Sequence, residues 1–534
     1  MPRITGGQAV VDALLTHGFD TLFGLPGVQN DWLYNALYDA DGAIRVIHTR
    51  HEQGAMYMAL GQALATGKPA VANVVPGPGV LNAGAGLATA YALNAPVLLL
   101  AGQIPLPAIG RSLGVLHELP DQLGLLRSLT KWAARIDDPA QAPWQVALGV
   151  QQLLSGRPGP IALEMPMDVL ERRTEVPLPS PSLPLAPTPV DTEAVERAAE
   201  LLGRAERPMV IVGGGAQSSA PDVRRLAALL EAPVVGYRNG RGIVDSRDYH
   251  SLTQPAARGL WDAADVVLLL GTHARVPVQK WPQSRDRTIV RVDVDAAALA
   301  RNHRPDLGIT GRLQDVLPLL LDRLERHNRH RASREEELRT ARAEWERKSA
   351  VLEPQISYLR VIREALGEDG ILVDELTQVG FASRITYPVY HPRTFISTGY
   401  MGTLGYGFPT ALGVKVARPD VPVISITGDG GFMFAFAELS TAVQQNIGLV
   451  TLVFNNNKYG NVEQMQRSRY GGRVIATELV NPDFVVMAES FGAEAYRVSS
   501  PAELAACLPK AIDSGRPVVI EISVADMPSV DQFR

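Results

Sequence analysis

The sequence predicts an α/β protein of several domains whose ligand sites lie at the carboxyl ends of parallel strands. Three observations carry this. Short apolar runs suited to strands buried on both faces alternate with helix-like stretches. Several of these runs end in glycine and oxygen-bearing side chains. A length of 534 residues suggests three or four domains, enough for sizeable cores.

The elements follow in chain order. Met1 to Thr5 leads directly into an amphipathic pattern, without a signal-peptide apolar core. Two glycine-proline loops, Phe23-Gly24-Leu25-Pro26-Gly27 and Pro76 to Asn82, punctuate the first domain, 1–176. The apolar run Ile44 to Ile47 precedes His51-Glu52-Gln53-Gly54-Ala55, which opens an Ala-rich helix and places Glu52 at a strand-to-helix junction. Read alone, a carboxylate there is a solvated helix-start residue. Six prolines between Pro177 and Pro189 make 177–189 an extended linker. A central domain, 190–325, begins with helix Val190 to Leu202 and a strand running into Gly213-Gly214-Gly215, and continues through runs at Asp265 to Gly271 and Thr288 to Asp295. Lacking a Gly-x-Gly-x-x-Gly pattern, the triple glycine reads as a tight strand-to-helix turn, with a nucleotide site as the alternative. Arg and Glu at helical spacing, dense from Asp322 to Ala350, suggest a solvated connecting helix over 326–354. The last domain is 355–534.

That domain carries the strongest signal. Strand Val421 to Ile426 leads to Gly428-Asp429-Gly430-Gly431, then a helix over Ala437 to Gln445, a strand over Leu449 to Phe454, and Asn455-Asn456-Asn457-Lys458-Tyr459-Gly460. In such a βαβ unit both clusters fall at carboxyl ends of neighbouring strands, so Asp429 and Asn456, 27 positions apart, meet in space. A carboxylate, an amide oxygen and a main-chain carbonyl, with two diphosphate oxygens and a water, complete the octahedral shell of Mg²⁺. Glycines let backbone amides approach the phosphates, and a helix N-terminus favours the same charge. A Gly-Asp-Gly by itself more often serves a strand end or a helix cap; the Asn-Asn at this spacing changes that balance.

At these residues the chain resembles the thiamine diphosphate enzymes of the acetolactate synthase, benzoylformate decarboxylase and pyruvate decarboxylase superfamily, over nearly its whole length. The resemblance implies three doubly wound parallel-sheet domains: pyrimidine-binding, central and diphosphate-binding. It implies Mg²⁺ ligands at Asp429, Asn456 and the main-chain oxygen of Lys458, and a diphosphate cradle of Gly428, Gly430, Gly431, Tyr459 and Gly460, with Gln378 nearby. Glu52 takes the place of the family's indispensable glutamate, which hydrogen-bonds the aminopyrimidine and promotes its imino tautomer. Pro26, Gly27 and Asn82 match the loops around that ring. Within Tyr400 to Pro409, Leu404 matches the wedge that bends the cofactor, and Gly402 would offer its carbonyl to the exocyclic amino group. A homodimer, commonly paired into a homotetramer, is also implied, with Glu52 and Asp429 of one site drawn from different subunits.

The resemblance further implies decarboxylation of a small 2-oxo acid, after which the resulting enamine is either protonated to an aldehyde or transferred to a second carbonyl. Pyruvate decarboxylases carry an acid at the position of Val28 and a His-His pair that this chain lacks; benzoylformate decarboxylases place Ser at Val28 and His at Val75. The missing donors favour carboligation of the acetolactate synthase kind. A non-oxidative 2-oxo acid decarboxylase or C–C lyase of the benzoylformate decarboxylase type is the alternative. A non-catalytic cofactor-binding subunit comes third, since such a protein has no use for Glu52. Departures from acetolactate synthase are a segment ending His117-Glu118, Met465 in place of a specificity tryptophan, and Glu463 in place of a valine. His117 and Glu463 are candidate proton relays beside a pocket shaped by Met465. The Arg-rich segment of flavin-containing synthases is replaced by Gly271-Thr272-His273-Ala274-Arg275, so FAD is not expected.

Composition bounds the rest. A net charge of −5 without a basic block argues against nucleic acid or anionic membrane as partner. The single cysteine, Cys507, excludes an internal disulfide and suits helix packing. No stretch approaches the ~18 apolar residues of a membrane span, and a cytoplasmic protein is expected.

Overall fold

The computed structural model describes residues 1–179, 183–185, 188–283 and 286–533. Part of the proline-rich stretch expected as a linker, at 180–182 and 186–187, lies outside them.

Three six-stranded sheets, each parallel throughout, organise the chain. Their strands are the apolar runs of the sequence; Val97–Gln103, for example, is buried at every position, as a strand covered by helices on both faces must be. The first sheet runs, edge to edge, Arg45–His48, Thr21–Gly24, Ala70–Val74, Val97–Gln103, Ile161–Pro166, Trp132–Arg135. The last runs Phe395–Ile396, Ile371–Val373, Val423–Gly428, Val450–Asn455, Val518–Ser523, Glu494–Val498. In chain order within each domain both read 2-1-3-4-6-5. The central sheet instead reads 3-2-1-4-5-6, with Met209–Val212 and Val266–Leu270 adjacent at its middle. In each sheet the chain reverses its direction of winding between two inner strands, and the crevice outside their carboxyl ends is where such folds bind ligands. In the outer sheets these crevices open between the loops after Gly24 and Val74, and between those after Val373 and Gly428.

The outer domains share one continuous core. Its centre is the crossing of helix Glu52–Thr66 with helix Gly407–Ala417, where glycines bring the backbones together: a Cβ on Gly61 would lie 2.1 Å from the Thr410 carbonyl oxygen, and one on Gly413 would lie 1.9 Å from that of Met58. The crossing admits no larger residue at either position, and it fixes the helix that begins with Glu52 against the C-terminal domain.

The charged stretch expected as one helix over 326–354 is divided. Helix Leu313–His327 packs its leucines into the central core, and a second helix, Glu335–Ser349, follows. Between them the Arg331 guanidinium donates to the main-chain oxygens of Leu202, Gly203 and Ala205 at the end of helix Thr192–Arg204, which draws the chain into an extended path. The second helix is also less solvated than expected: Leu338 and Trp345 are buried, and the indole donates to the Ile385 carbonyl at 3.0 Å. The helix expected over Ala437 to Gln445 begins as a 3₁₀ turn, Phe436–Glu438, ahead of Leu439–Gln444. Cys507 lies on helix Pro501–Asp513, half-buried against the core.

Candidate active site

The C-terminal crevice gathers oxygens. Asp429 follows strand Val423–Gly428 at the start of a short helix, Asp429–Phe432, and is 3 % exposed; burial raises its carboxyl above the usual range. The Asn481 amide nitrogen donates to Asp429 Oδ2 at 2.8 Å, Asn457 Oδ1 at 3.1 Å and Asn455 Oδ1 at 3.2 Å. Asn457 N–H also donates to Asn455 Oδ1 at 3.1 Å, and the main-chain N–H groups of Gly430 and Lys458 reach Asp429, so carboxylate and amide oxygens are gathered at one point. That donor set, one carboxylate with amide oxygens, suits a hard divalent cation. The amide oxygens of Asn455 and Asn457 reach the same Asn481 nitrogen as Asp429, and the Asn455 amide nitrogen donates to Glu521 at 2.8 Å. Asn456, expected to hold the metal with Asp429, lies in the same turn, with its amide nitrogen beside Gly460. Lys458 keeps its side chain out of the cluster, on Asp526 at 2.9 Å, while its main-chain N–H supports Asp429. The Tyr459 ring lies against Gly430, where a Cβ would meet it at 2.5 Å. Segment 477–481 straps the loop through Tyr459 N–H to Thr477 oxygen and Leu479 N–H to Asn457 oxygen, both 2.8 Å. Thr377 packs beside Gly428, and the helix Gln378–Thr386, uncapped by any side chain, starts there; Gln378 bonds Gln464 at 3.1 Å. Such a helix start offers free N–H groups to an anion.

The N-terminal crevice presents Glu52 at the first position of its helix, where Asn82 Nδ2 donates to Glu52 Oε2 at 2.9 Å. Val75 is enclosed between Gly27 and Gly79, whose added Cβ atoms would lie 2.6 and 2.8 Å from its methyls. A buried amide chain sets the Pro26-Gly27 loop: Asn30 accepts from Gly27 N–H at 2.7 Å and donates to Asn73 at 2.7 Å. Val28 is exposed at the rim. His117, at φ +69, presses its backbone on Gly77, and its ring pairs with Gln29 at 3.1 Å.

Between the crevices runs the loop Thr398 to Gly407, turned three times at positive φ by Gly399, Gly402 and Gly405. It carries Leu404, half-buried. Thr403 meets Thr89 at 3.3 Å, and a Cβ on Gly405 would lie 2.5 Å from Phe434 and 3.4 Å from Gln53. The loop is thus in touch with both the Glu52 helix and the turn after Asp429. Two buried carboxylates that sequence reasoning passed over hold this region. Glu375 binds Gly405 N–H at 2.6 Å and the Thr427 hydroxyl; Glu438 binds Arg50 and His51 N–H, the latter at 2.9 Å. Glu375 was open to discovery by the same rule as Asp429, as an acid just past a strand's carboxyl end.

Two expected pocket residues are placed less favourably. Glu463 is clamped between Arg467 at 2.6 Å and Lys458 at 3.4 Å, and Arg467 first, then Lys458, holds its carboxyl below the usual range. A group held ionised by two cations does not suit the proton-relay role expected of it. Met465 lies half-buried on the same helix, Gly460–Arg469. In the central domain the equivalent crevice is filled by backbone: Gly215 and Gly271 approach so closely that a Cβ on either would lie within 3.0 Å of the other's Cα. The central domain reaches the loop described above through Asn239, which brackets Ser397 N–H at 2.8 Å and its carbonyl at 3.2 Å. Among the described residues, no helix is long and apolar enough to cross a membrane.

Residues 4–125, 195–320 and 377–522 match the N-terminal TPP binding, central, and C-terminal TPP binding domains of thiamine pyrophosphate enzymes. The chain is 32 % identical to a probable acetolactate synthase large subunit of Methanocaldococcus jannaschii, covering 97 % of this chain and 92 % of that one. It is 30 % identical to the acetolactate synthase isozyme 3 large subunit of Escherichia coli, covering 98 % and 95 %. It is also 32 % identical to a probable 2-ketoarginine decarboxylase of Pseudomonas aeruginosa, covering 92 % and 88 %. The chain belongs to the thiamine pyrophosphate enzyme family, in its acetolactate synthase large subunit-like branch.

Proposed function

We propose that this thiamine pyrophosphate enzyme decarboxylates a small 2-oxo acid and transfers the acyl-equivalent unit to a carbonyl acceptor, as a carboligase. The observation that carries the reading is the Glu52 carboxylate, held by Asn82 in a crevice whose near walls, Val28 and Val75, supply no proton donor. When bound, thiamine diphosphate supplies the nucleophilic carbon and the electron sink. Glu52 holds or releases a proton at Oε, and Asn82 orients it. Leu404 and Gly402 shape the space between the crevices. Asp429, Asn456 and the main-chain oxygen of Lys458 would hold Mg²⁺, and the start of helix Gln378–Thr386 together with Gly428, Gly430 and Gly431 would receive the diphosphate. Val28 and Val75 withhold the proton that would end the reaction at an aldehyde, and covering of the exposed rim by a second copy would exclude water.

The resemblance also supports a cytoplasmic homodimer, or a homotetramer built from it, in which one site draws on both chains. Val28 and Leu81, on the two loops of the N-terminal crevice, and Leu113 and Leu116, on the segment leading to His117, are exposed apolar side chains that suit burial by a second copy. FAD has no place in this proposal.

The second reading is decarboxylation alone. It is favoured by the Pseudomonas relative and by His117 at the rim of the Glu52 crevice. A panel of 2-oxo acids with and without aldehyde acceptors, analysed by mass spectrometry, separates the two: a 2-hydroxy ketone supports carboligation, aldehyde alone supports the decarboxylase, and no turnover of any member with cofactor bound removes both.

A further inference from the structure

Helix Gly407–Ala417 lacks a cap of its own. Its N-cap residue, Tyr406, has helical backbone angles and makes no side-chain bond to the first turn, so the orphan N–H groups there need another acceptor. Glu375, far upstream in the chain, provides it. Its carboxylate accepts from Gly405 N–H at 2.6 Å and from the N–H groups of Tyr406 and Gly407. It also receives the Thr427 hydroxyl, two residues before Asp429, and lies against Gly431, where a Cβ would meet Oε1 at 2.6 Å.

One buried side chain therefore touches three things at once. It ends the loop that carries Gly402 and Leu404, it braces the turn that carries Asp429, and it caps the helix that crosses the Glu52 helix through Gly61 and Gly413. A carboxylate is costly in such a place unless its lone pairs are met, and four donors meet them. Burial still pushes the group up to about 7, so its ionised form depends on those donors staying in position. Asp374, its neighbour, is committed elsewhere, to Arg384 at 2.6 Å.

We propose that Glu375 is a positioning residue for the thiamine diphosphate site, locking the Leu404 loop to the Asp429 turn so that the two halves of the cradle keep one spacing. It acts through Gly405 to Gly407 and Thr427 and need not touch the cofactor. The inference rests on the thiamine diphosphate reading of the two crevices. Glutamine in its place has the same shape but turns one acceptor oxygen into a donor, which then faces N–H groups.

The test is a calorimetric titration of thiamine diphosphate with saturating Mg²⁺ into wild-type protein and Glu375→Gln, with near-ultraviolet circular dichroism of the bound cofactor as the second readout. Wild type must bind; if it does not, the cofactor reading itself falls. Given wild-type binding, Glu375→Gln is expected to bind at least tenfold more weakly and to change the dichroism of what does bind, because the cofactor's bend is no longer imposed. A folded Glu375→Gln with wild-type affinity and spectrum overturns the proposal. If that variant does not fold, Thr427→Val decides, since it removes one bond to Glu375 and keeps the strand: a threefold or larger loss of affinity with an altered spectrum supports the proposal, and wild-type behaviour in both overturns it.

Discussion

The N-terminal and C-terminal crevices sit at the same place in two sheets of the same strand order, yet they are furnished oppositely. Around Asp429 the walls present a carboxylate and several amide oxygens brought close together. Around Glu52 they present valine, glycine and a single carboxylate with one amide partner. On the proposed reading, the same topology serves charge binding in one domain and proton handling in the other. The central sheet, wound differently, has its crevice closed by Gly215 and Gly271. Fold places a crevice; the side chains at strand ends decide its chemistry.

The sharpest way to break this division is Glu52→Gln. Turnover of any accepted 2-oxo acid should fall by about 1,000-fold, within the range a positioned acid–base group contributes. Thermal unfolding should barely move, because the amide keeps the shape and the exposed side of the crevice. Substantial residual turnover in purified variant would separate Glu52 from proton handling.

Asp429→Ala attacks the other side. Affinity for Mg²⁺ and for thiamine diphosphate should fall together by about 100-fold, as loss of a metal-site group does. Retained affinity for either would detach the cluster from the cofactor.

Acidity sharpens the role of the carboxylates between the crevices. Glu375 is raised by burial from 4.5 to about 7, so across that window the folded chain holds a proton the unfolded chain has lost. Stability of the cofactor-free protein should therefore decline as pH rises through that window, by about 3 kcal/mol from this group, and level off above it. Asp429 and Glu438, also raised by burial, act in the same direction. Denaturant unfolding at pH 5 and pH 8 measures the slope, and Glu375→Gln should flatten it; an unchanged slope would contradict the assignment.

Met465→Trp should have a smaller effect. Filling volume on helix Gly460–Arg469 should shift kcat/KM ratios between short and long 2-oxo acids by about tenfold. Unchanged chain-length preference would move the substrate pocket toward Val28 and His117. Added FAD should change nothing, as read by activity and by the absorbance of purified protein.

Much of this was legible in the sequence, for definite reasons. Buried parallel strands declare themselves as apolar runs, and the residues just past them, Asp429 and Glu52 among them, land at crevices by topology alone. The three-domain architecture followed from the resemblance and stands in the three sheets. Side-chain partners were not legible: that one Asn481 nitrogen gathers the oxygens of Asp429, Asn455 and Asn457 depends on a segment more than twenty residues further along the chain. Partnerships across long separations were hidden too. Glu375 with Gly405, Glu438 with His51 and Glu463 with Lys458 and Arg467 depend on packing that no local pattern encodes. The helix break after His327 was missed because Arg331 finds its partners on a helix more than a hundred residues earlier.

The division of labour between the crevices is tested most directly by one side-by-side calorimetric titration of thiamine diphosphate and Mg²⁺ into wild type, Glu52→Gln and Asp429→Ala. The account predicts that Glu52→Gln binds within about fivefold of wild type, since a single neutral-for-charged exchange on an open rim is worth about 1 kcal/mol or less, whereas Asp429→Ala shows no saturable heat at the same concentrations. Equal loss in both variants, or wild-type binding by Asp429→Ala, would contradict it.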